Sequence, residues 1–352
     1  MKIDLGGRLI GDGEPPLLLP DIGTFFNQDM SKAYEIIKGL HMAGCDFIKG
    51  EILHTPDICL EDETTETYIG DDGQLVSENY RKLIERKVVS FAAYEEIFAY
   101  SRSLEMNLVL SVYDMAGAEF AVKMNAVALK IASSNITNEF LISTVSNLGI
   151  PLILDTGKSD FEEVARAVMW ARDAGCNQLI VEHSPDAPPK PLANHNLNIM
   201  KSYHEAFGTL VGLSDHHAGN EMMIASVALG AHLLEKGVCL DEEPFDQDVN
   251  HAMRLSEVKA LKGAIDNVYV ALGHGFRSLK RNREKPAGRV GLVAKKDLVP
   301  GDQLSPENVD FVFPARGIGG EYWSLVNGWT VKRNIPKRTP VQFCDVSEKL
   351  DT

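Results

Sequence analysis

The sequence predicts an α/β protein built as a (β/α)8 barrel (TIM barrel) followed by a smaller C-terminal domain. Eight units, each a short apolar strand and a helix, follow one another over about 270 residues, and that number and length are typical of the barrel. An open, doubly wound sheet is the alternative. The barrel is favoured because no Gly-x-Gly-x-x-Gly turn follows the first strand.

The predicted strands are short apolar runs that end in polar residues. They are expected at Leu17–Gly23, Phe47–Leu53, Leu108–Asp114, Ala126–Ile131, Pro151–Thr156, Gln178–His183, Thr209–Ser214 and His232–Leu240. A polar insertion, roughly His54–Ser77, follows the second strand.

The predicted helices lie between the strands, and several are bounded by a capping residue and a glycine. They are expected at Ser31–Ala43, in a long region up to about Glu105, at Ala116–Met124, Glu139–Asn147, 159–175, Asn198–Ala206, Glu221–Leu229 and Ser256–Leu272. Ser31 is the expected N-cap of the first helix, and Ser159 with Glu162 is an expected capping box.

The composition changes after the eighth unit. We expect the barrel at residues 1–275, a basic linker containing Pro286-Ala-Gly at 276–289, and a second domain at 290–352. In that domain Ser305-Pro306 predicts the start of a short helix. About 60 residues are few for an independent core, so the domain is expected to dock on the barrel or on another subunit.

Charge and composition exclude several classes of protein. The formal net charge of −15 argues against nucleic-acid binding, which needs a basic face. The five cysteines form no Cys-x-x-Cys motif, the N-terminus has no signal-peptide pattern, and no apolar run is long enough for a membrane span. We therefore expect a cytoplasmic protein that binds neither nucleic acid nor membrane.

Lys130 interrupts the apolar fourth strand and is followed by the polar residues Ser133, Ser134 and Asn135. A cation at a strand end before a polar turn can hold phosphate or carboxylate. The alternative is that the lysine extends to solvent at the barrel rim.

A barrel places its site at the carboxyl ends of its strands. The polar residues there are Asp21, Lys49, Glu51, Ser111, Asp114, Lys130, Ser133, Ser134, Asp155, Thr156, Glu182, His183, Ser184, Ser214, Asp215, His216, His217, Glu235 and Lys236. Lysines, carboxylates and a histidine pair on one face favour an anionic substrate with a divalent metal.

Four segments carry a resemblance to a known family. They are Lys130-Ile-Ala-Ser-Ser-Asn-Ile-Thr-Asn, Ile153-Leu-Asp-Thr-Gly-Lys, Val211-Gly-Leu-Ser-Asp-His and Val227-Ala-Leu-Gly-Ala-His-Leu-Leu-Glu-Lys. The chain resembles the sialic acid (N-acetylneuraminate) synthase family, which includes the spore-coat polysaccharide synthase-like proteins. Its C-terminal part, notably Gly291–Val309 and Phe313-Pro-Ala-Arg-Gly-Ile-Gly, resembles the antifreeze-like (SAF) domain of that family.

The resemblance implies a condensation of phosphoenolpyruvate with the aldehyde of an N-acylated amino sugar, which yields a nonulosonic acid and phosphate for surface polysaccharide. It implies catalytic roles for Asp21, Glu235 and His216, a divalent metal, usually Mn²⁺, bound by His216, and a domain-swapped homodimer. The implied phosphoenolpyruvate-binding residues are Lys49, Lys130, Ser133, Ser134, Asn135 and Ser111. The implied sugar-binding residues are Glu51, Asp186, Asp248 and Arg316, the last from the partner's SAF domain.

The sequence departs from the family pattern at four places. Asp21-Ile-Gly-Thr-Phe-Phe-Asn-Gln replaces Glu-Ile-Gly-x-Asn-His-Asn-Gly, Glu51 replaces Gln, and Asp186-Ala-Pro replaces an Asn-Tyr-Pro type of loop. The family's Glu-Lys-His is Glu235-Lys236-Gly237, so the second metal-binding histidine is absent.

This loss leaves three alternatives for the metal: more water ligands, a substitute residue, or no metal. His217 is a substitute only if its strand has already ended. The alternative functions are a non-catalytic paralogue that binds a phosphorylated or acidic sugar ligand without turnover, and a class I aldolase with Lys130 or Lys49 as a Schiff base.

Overall fold

The computed structural model of the protein describes residues 1–70, 72–185, 192–273 and 288–348. The chain forms two compact units, Met1–Gly273 and His274–Thr352. The expected boundaries at 275 and 290 remain predictions, and most of the linker, 276–287, lies outside the described residues. Among the helices described, none combines the length and hydropathy that crossing a membrane requires.

The first unit is organised around a parallel sheet. Its strands are β1 (Lys2–Leu5), β2 (Arg8–Gly11), β3 (Leu17–Asp21), β4 (Phe47–Ile52), β5 (Thr65–Ile69), β6 (Leu75–Asn79), β7 (Asn107–Val112), β8 (Ala128–Ile131), β9 (Leu152–Asp155), β10 (Leu179–His183), β11 (Leu210–Asp215), β12 (Leu233–Cys239) and the short β13 (Met253–Arg254).

Eight of these strands close into a barrel. The hydrogen-bonded order is β3, β4, β7, β8, β9, β10, β11 and β12, and β12 pairs in parallel with β3 to complete the circle. Because the first and last strands are joined, the open-sheet alternative is wrong and the predicted (β/α)8 barrel is confirmed. The strand bounds differ from the expected ones by one or two residues, as is usual at element ends.

The helices of this unit follow the strands in the expected alternation. They are α1 (Met30–Met42), α2 (Tyr80–Glu85), α3 (Phe91–Ser103), α4 (Met115–Lys123), α5 (Glu139–Ser146), α6 (Phe161–Asp173), α7 (Ile199–Phe207), α8 (Glu221–Ala228) and α9 (Val258–Leu272).

Several local predictions are corrected by the structure. The N-cap of α1 is Asp29, not Ser31, because the Asp29 carboxylate accepts the backbone N–H groups of residues 31 and 32. The capping box of α6 is Asp160 with Glu163, one residue later than expected. The long helical region before residue 105 is two helices, and the polar insertion contains the β5–β6 hairpin.

The barrel interior explains where the polar residues go. Its lower half is an apolar cluster that the β1–β2 hairpin also contacts, and it consists of Ile3, Leu5, Ile10, Leu17, Leu19, Phe47, Val109, Ala128, Ile153, Ile180, Leu210 and Leu233. Side chains on a strand alternate between faces. The residues two positions further along point the same way, and they include Asp21, Lys49, Ser111, Lys130, Asp155, Glu182 and Glu235.

The second unit has its own core. Its elements are β14 (Gly291–Ala294), β15 (Val309–Val312), α10 (Trp323–Val326), β16 (Thr330–Val331) and β17 (Val346–Ser347), with β14–β15 and β16–β17 antiparallel. Leu292, Leu304, Ile318, Val331 and Val341 are among its buried residues. The short helix predicted at Ser305 is instead a single turn, in which the Asn308 and Val309 N–H groups bond to the Ser305 carbonyl.

Candidate active site

A cavity of about 520 Å³ lies at the carboxyl ends of the barrel strands. Most of the residues singled out from the sequence line it: Asp21, Lys49, Glu51, Ser111, Lys130, Ser133, Ser134, Asn135, His216, Glu235 and Asp248. Asp186 lies outside the described residues, and Arg316 is an exposed residue of the second unit. The functional roles of all these residues remain predictions.

Lys130 does not extend to solvent. Its Nζ is buried among three carboxylates, 2.9 Å from Asp155, 2.8 Å from Glu182 and 2.6 Å from Glu235. Burial opposes the charge on Lys130, but the three carboxylates outweigh burial and raise its pKa. Lys130 is therefore a protonated cation fixed inside the barrel.

The second buried ammonium belongs to Lys49, whose Nζ lies 2.7 Å from Asp21, 2.9 Å from Glu51 and 3.2 Å from Glu235. Glu235 thus bridges the two lysines. The pair forms because β4 and β12 both flank β3, so their inward residues converge.

The carboxyl groups of the cavity differ in pKa. Burial raises the pKa of Asp21 to about 7, helped by Glu51 and Glu235 and opposed by Lys49. Burial, together with Glu235, raises the pKa of Glu182 to about 8. Burial also acts on Asp155, but there Lys130 outweighs it and the pKa falls to about 2. Asp21 and Glu182 are consequently the groups that gain or lose a proton near neutral pH.

The lining is acidic in sum. Among the described lining residues, the lysines are Lys49, Lys87, Lys130 and Lys236, and the carboxylates are Asp21, Glu51, Asp155, Asp215, Glu235 and Asp248. Four positive groups face six acidic ones. Binding of an anion in this cavity therefore needs protons on some carboxyl groups, a bound cation, or both.

Three contacts of the cavity were not foreseen from the sequence. Lys87 pairs with Asp248, and Thr24 donates a hydrogen bond to the same carboxylate at 3.3 Å. Tyr113 donates to Glu51 at 3.0 Å. Tyr113 lies at the carboxyl end of the predicted strand Leu108–Asp114, so the rule that a barrel's site is at its strand ends could have found it. Lys87, in the loop after α2, has no comparable signal in the sequence.

The region of the lost histidine is rebuilt around Phe25. A Cβ atom at Gly237 would lie 2.3 Å from Cζ of Phe25, so the ring excludes any side chain at position 237. Phe25 packs with Cys239, Val249 and Ala252 in a small buried cluster.

His216 lines the cavity, and its Nδ1 lies 3.3 Å from the Ser184 hydroxyl. β11 ends at Asp215, so His217 has left the strand, yet its Nε2 contacts Glu221 at 2.8 Å and it does not line the cavity. The ring nearest to His216 is that of His251, with centroids 4.8 Å apart and planes at 82°. His217 therefore does not replace the absent side chain at Gly237.

Two groups of side chains could hold a metal ion. The carboxylates of Asp155, Glu182 and Glu235 lie within 4.8 Å of one another, but the Lys130 ammonium already lies among them. His216 and His251 offer imidazole nitrogens, which suit Zn²⁺ and other borderline transition metals, and the two lysines that act on His251, Lys236 and Lys87, are themselves paired with carboxylates. The imidazole pair therefore fits a transition metal better than the carboxylate group does.

A (β/α)8 barrel whose mouth holds buried lysines, carboxylates and imidazoles defines an enzyme-like protein with a site for charged ligands. The chain belongs to the NeuB family, whose sequence profile matches residues 36–277, and residues 289–347 match the SAF domain. Both matches confirm the resemblance stated from the motifs.

Individual relatives cover nearly the whole chain. It is 30% identical over 335 residues to the uncharacterized protein MJ1065 of Methanocaldococcus jannaschii, with 95% of each chain covered. It is 26% identical over 328 residues to N,N'-diacetyllegionaminic acid synthase of Campylobacter jejuni, covering 90% of this chain and 96% of that one.

Solved structures share the fold. N-acetylneuraminic acid (sialic acid) synthetase of Leptospira borgpetersenii, crystallised with citrate, matches with a TM-score of 0.70 at 20% identity, covering 81% of this chain and 94% of that chain.

Proposed function

We propose that the protein condenses phosphoenolpyruvate with the open-chain aldehyde of an N-acylated amino sugar. C3 of phosphoenolpyruvate bonds to the aldehyde carbon, whose oxygen takes up a proton. Water adds to C2 and the bond from C2 to the phosphate oxygen breaks, so that the water oxygen becomes the ketone oxygen; of its two protons, one balances the proton taken up by the aldehyde oxygen and the other leaves with the phosphate. The products are a nonulosonic (sialic-acid-like) 2-keto acid and inorganic phosphate.

The observation that carries this proposal is the buried Lys49–Glu235–Lys130 bridge at the mouth of a NeuB-family barrel. Phosphoenolpyruvate carries a phosphate and a carboxylate, and charge-assisted hydrogen bonds from ammonium groups bind both well. We assign these anionic groups to Lys49, Lys130, Ser111 and the turn Ser133, Ser134 and Asn135.

Two features of the structure support that assignment. The Ser111 hydroxyl is buried with no hydrogen-bond partner among the described residues, so it is free to donate to a ligand. A proton on Glu182, whose pKa is raised to about 8, would release part of the charge of Lys130 toward an incoming anion.

We assign proton transfer and water orientation to Asp21, Glu235 and His216. A general acid or base works best with a pKa near the working pH, and Asp21 meets this condition. A divalent metal, Mn²⁺ in this proposal, would polarise the aldehyde oxygen when bound, and His216 would be one of its ligands. The sugar end is assigned to Glu51, Asp186, Asp248 and Arg316.

The proposal includes a domain-swapped homodimer in which Arg316 of the partner subunit reaches the sugar. The product would feed the biosynthesis of a surface polysaccharide. Support comes from the relative named as a legionaminic acid synthase and from the separate core of the second unit, which can dock as a body.

The structure does not favour a Schiff-base aldolase. A lysine nucleophile must be neutral, whereas the carboxylates around Lys130 raise its pKa and hold it as an ammonium.

The test is phosphate release from phosphoenolpyruvate with a panel of N-acyl hexosamines and Mn²⁺. We expect acceptor-dependent release that Lys130→Met abolishes and that Lys201→Met, at an exposed lysine, leaves unchanged. Phosphoenolpyruvate binding without release across the panel would instead indicate the non-catalytic paralogue. A borohydride-trapped adduct with pyruvate would indicate the aldolase.

A further inference from the structure

His251 is a buried side chain to which the proposed function assigns no role. It is 5% exposed, it lines the cavity, and its Nδ1 has no hydrogen-bond partner among the described residues. A buried polar nitrogen without a partner is destabilising, so a ligand that satisfies it would be favoured.

We propose that His251 and His216 together bind the divalent metal, with His251 replacing the side chain absent at Gly237. This inference deepens the proposed function, on which it rests for the role of the metal.

The separation of the two rings fits one shared ion. An ion about 2.1 Å from a ring nitrogen lies about 3.2 Å from the ring centre, so two rings bound at a near-right angle have centres about 4.5 Å apart. The observed separation is 4.8 Å.

Phe25 links the loss of one ligand to the gain of the other. Its ring fills the space where a side chain at position 237 would start, so the cavity wall there is apolar. The same ring packs on Val249 and Ala252, which flank His251 in sequence. Phe25 therefore closes one ligand position and holds the turn that carries the other.

Charge around the pair also favours a cation. The Asp248 carboxylate interacts electrostatically with both histidines, and its negative charge favours a cation near them. Lys87 opposes this, because it pairs with Asp248. Because the described lining residues include more acidic than basic side chains, the cavity as a whole attracts a divalent cation.

The test measures Mn²⁺ binding to the full-length protein without substrate. Calorimetry gives the affinity, and electron spin-echo modulation counts the imidazole nitrogens bound to the ion. We expect two imidazoles in the wild type and one in His251→Ala. Loss of one ligand should weaken the Mn²⁺ affinity at least about tenfold, because removing even a residue that only hydrogen-bonds to a metal ligand typically weakens metal affinity about 10–100-fold. His216→Ala should have a similar effect.

His217→Ala is the matched control, since His217 adjoins His216 but lies against Glu221. His251→Gln, together with melting curves, separates a lost ligand from a lost fold. Wild-type protein that binds no Mn²⁺, or His251→Ala that still shows two imidazoles, overturns the inference. Two bound imidazoles without phosphate release would uphold it while refuting the proposed reaction, and phosphate release by a wild-type protein that binds no Mn²⁺ would do the reverse.

Discussion

Replacing Lys130 with methionine should destabilise the barrel strongly and in a pH-dependent way. The change removes an ammonium that lies 2.6–2.9 Å from three buried carboxylates. Each ion pair is worth about 6 kcal/mol in gross attraction at an effective dielectric constant of about 20. Much of that is offset by the desolvation of the lysine, and breaking a buried pair typically costs about 3–5 kcal/mol net.

The pH dependence follows from the carboxyl groups left behind. Without the cation their pKa values rise, so the folded variant binds protons that the unfolded chain, with a carboxyl pKa near 4, does not hold. Stability relative to wild type must then fall as pH rises, by about 1.4 kcal/mol per pH unit for each additional proton. Between pH 5.5 and 7.5 one proton accounts for about 3 kcal/mol.

Thermal and urea unfolding at pH 5.5, 6.5 and 7.5 measure this effect. At pH 7.5 we expect a melting temperature lower by about 10 °C, from about 2–4 °C per kcal/mol for a domain of this size. Lys201→Met, an exposed lysine paired only with Glu205, should change stability by less than about 0.5 kcal/mol. A Lys130→Met protein with the wild-type melting temperature, or with a loss independent of pH, would refute the reasoning.

Three further predictions concern the site. Gly237→Ala should lower the free energy of unfolding, measured in urea, by about 1–3 kcal/mol, because the new Cβ would meet the Phe25 ring at 2.3 Å. In a Phe25→Ala background the same substitution should cost much less. Equal costs in the two backgrounds would contradict the packing argument. Burial raises the pKa of Asp21 to about 7, so if Asp21 acts as a base, kcat/KM should rise as the pH passes through about 7. Asp21→Asn should abolish this rise. An unchanged pH profile in the variant would assign the rise to another group. When Arg316→Ala and Lys130→Met chains are co-expressed, mixed dimers should recover phosphate release, because one of their two sites then has both an intact Lys130 and an intact Arg316. No recovery would argue against the domain-swapped dimer.

The barrel was predictable because its signal is local and repeated. Apolar strands and capped helices alternate along the chain, so small errors, such as Asp29 rather than Ser31 as the N-cap, do not alter the topology. The β1–β2 hairpin was missed because only four residues form each strand and its apolar residues gain meaning only against the barrel floor.

The polar half of the barrel mouth was also predictable. Residues such as Lys49, Lys130 and Glu235 stand at strand ends, and parallel strands in a barrel end at one face. Alternation along each strand then decides which of them point inward. Their number indicates an anion site, but how fully the carboxylates balance the lysines depends on distances that only the folded barrel sets.

The sequence by itself determined the fold, the family and the residues that surround the mouth, because these follow from periodicity and from motifs within single segments. Only the tertiary structure decided that Lys130 is buried in a carboxylate cluster, that Phe25 occupies the space above Gly237, and that His251 lies beside His216. Those facts depend on contacts between loops distant in sequence, whose spacing is fixed only when the barrel closes and brings the strand ends together.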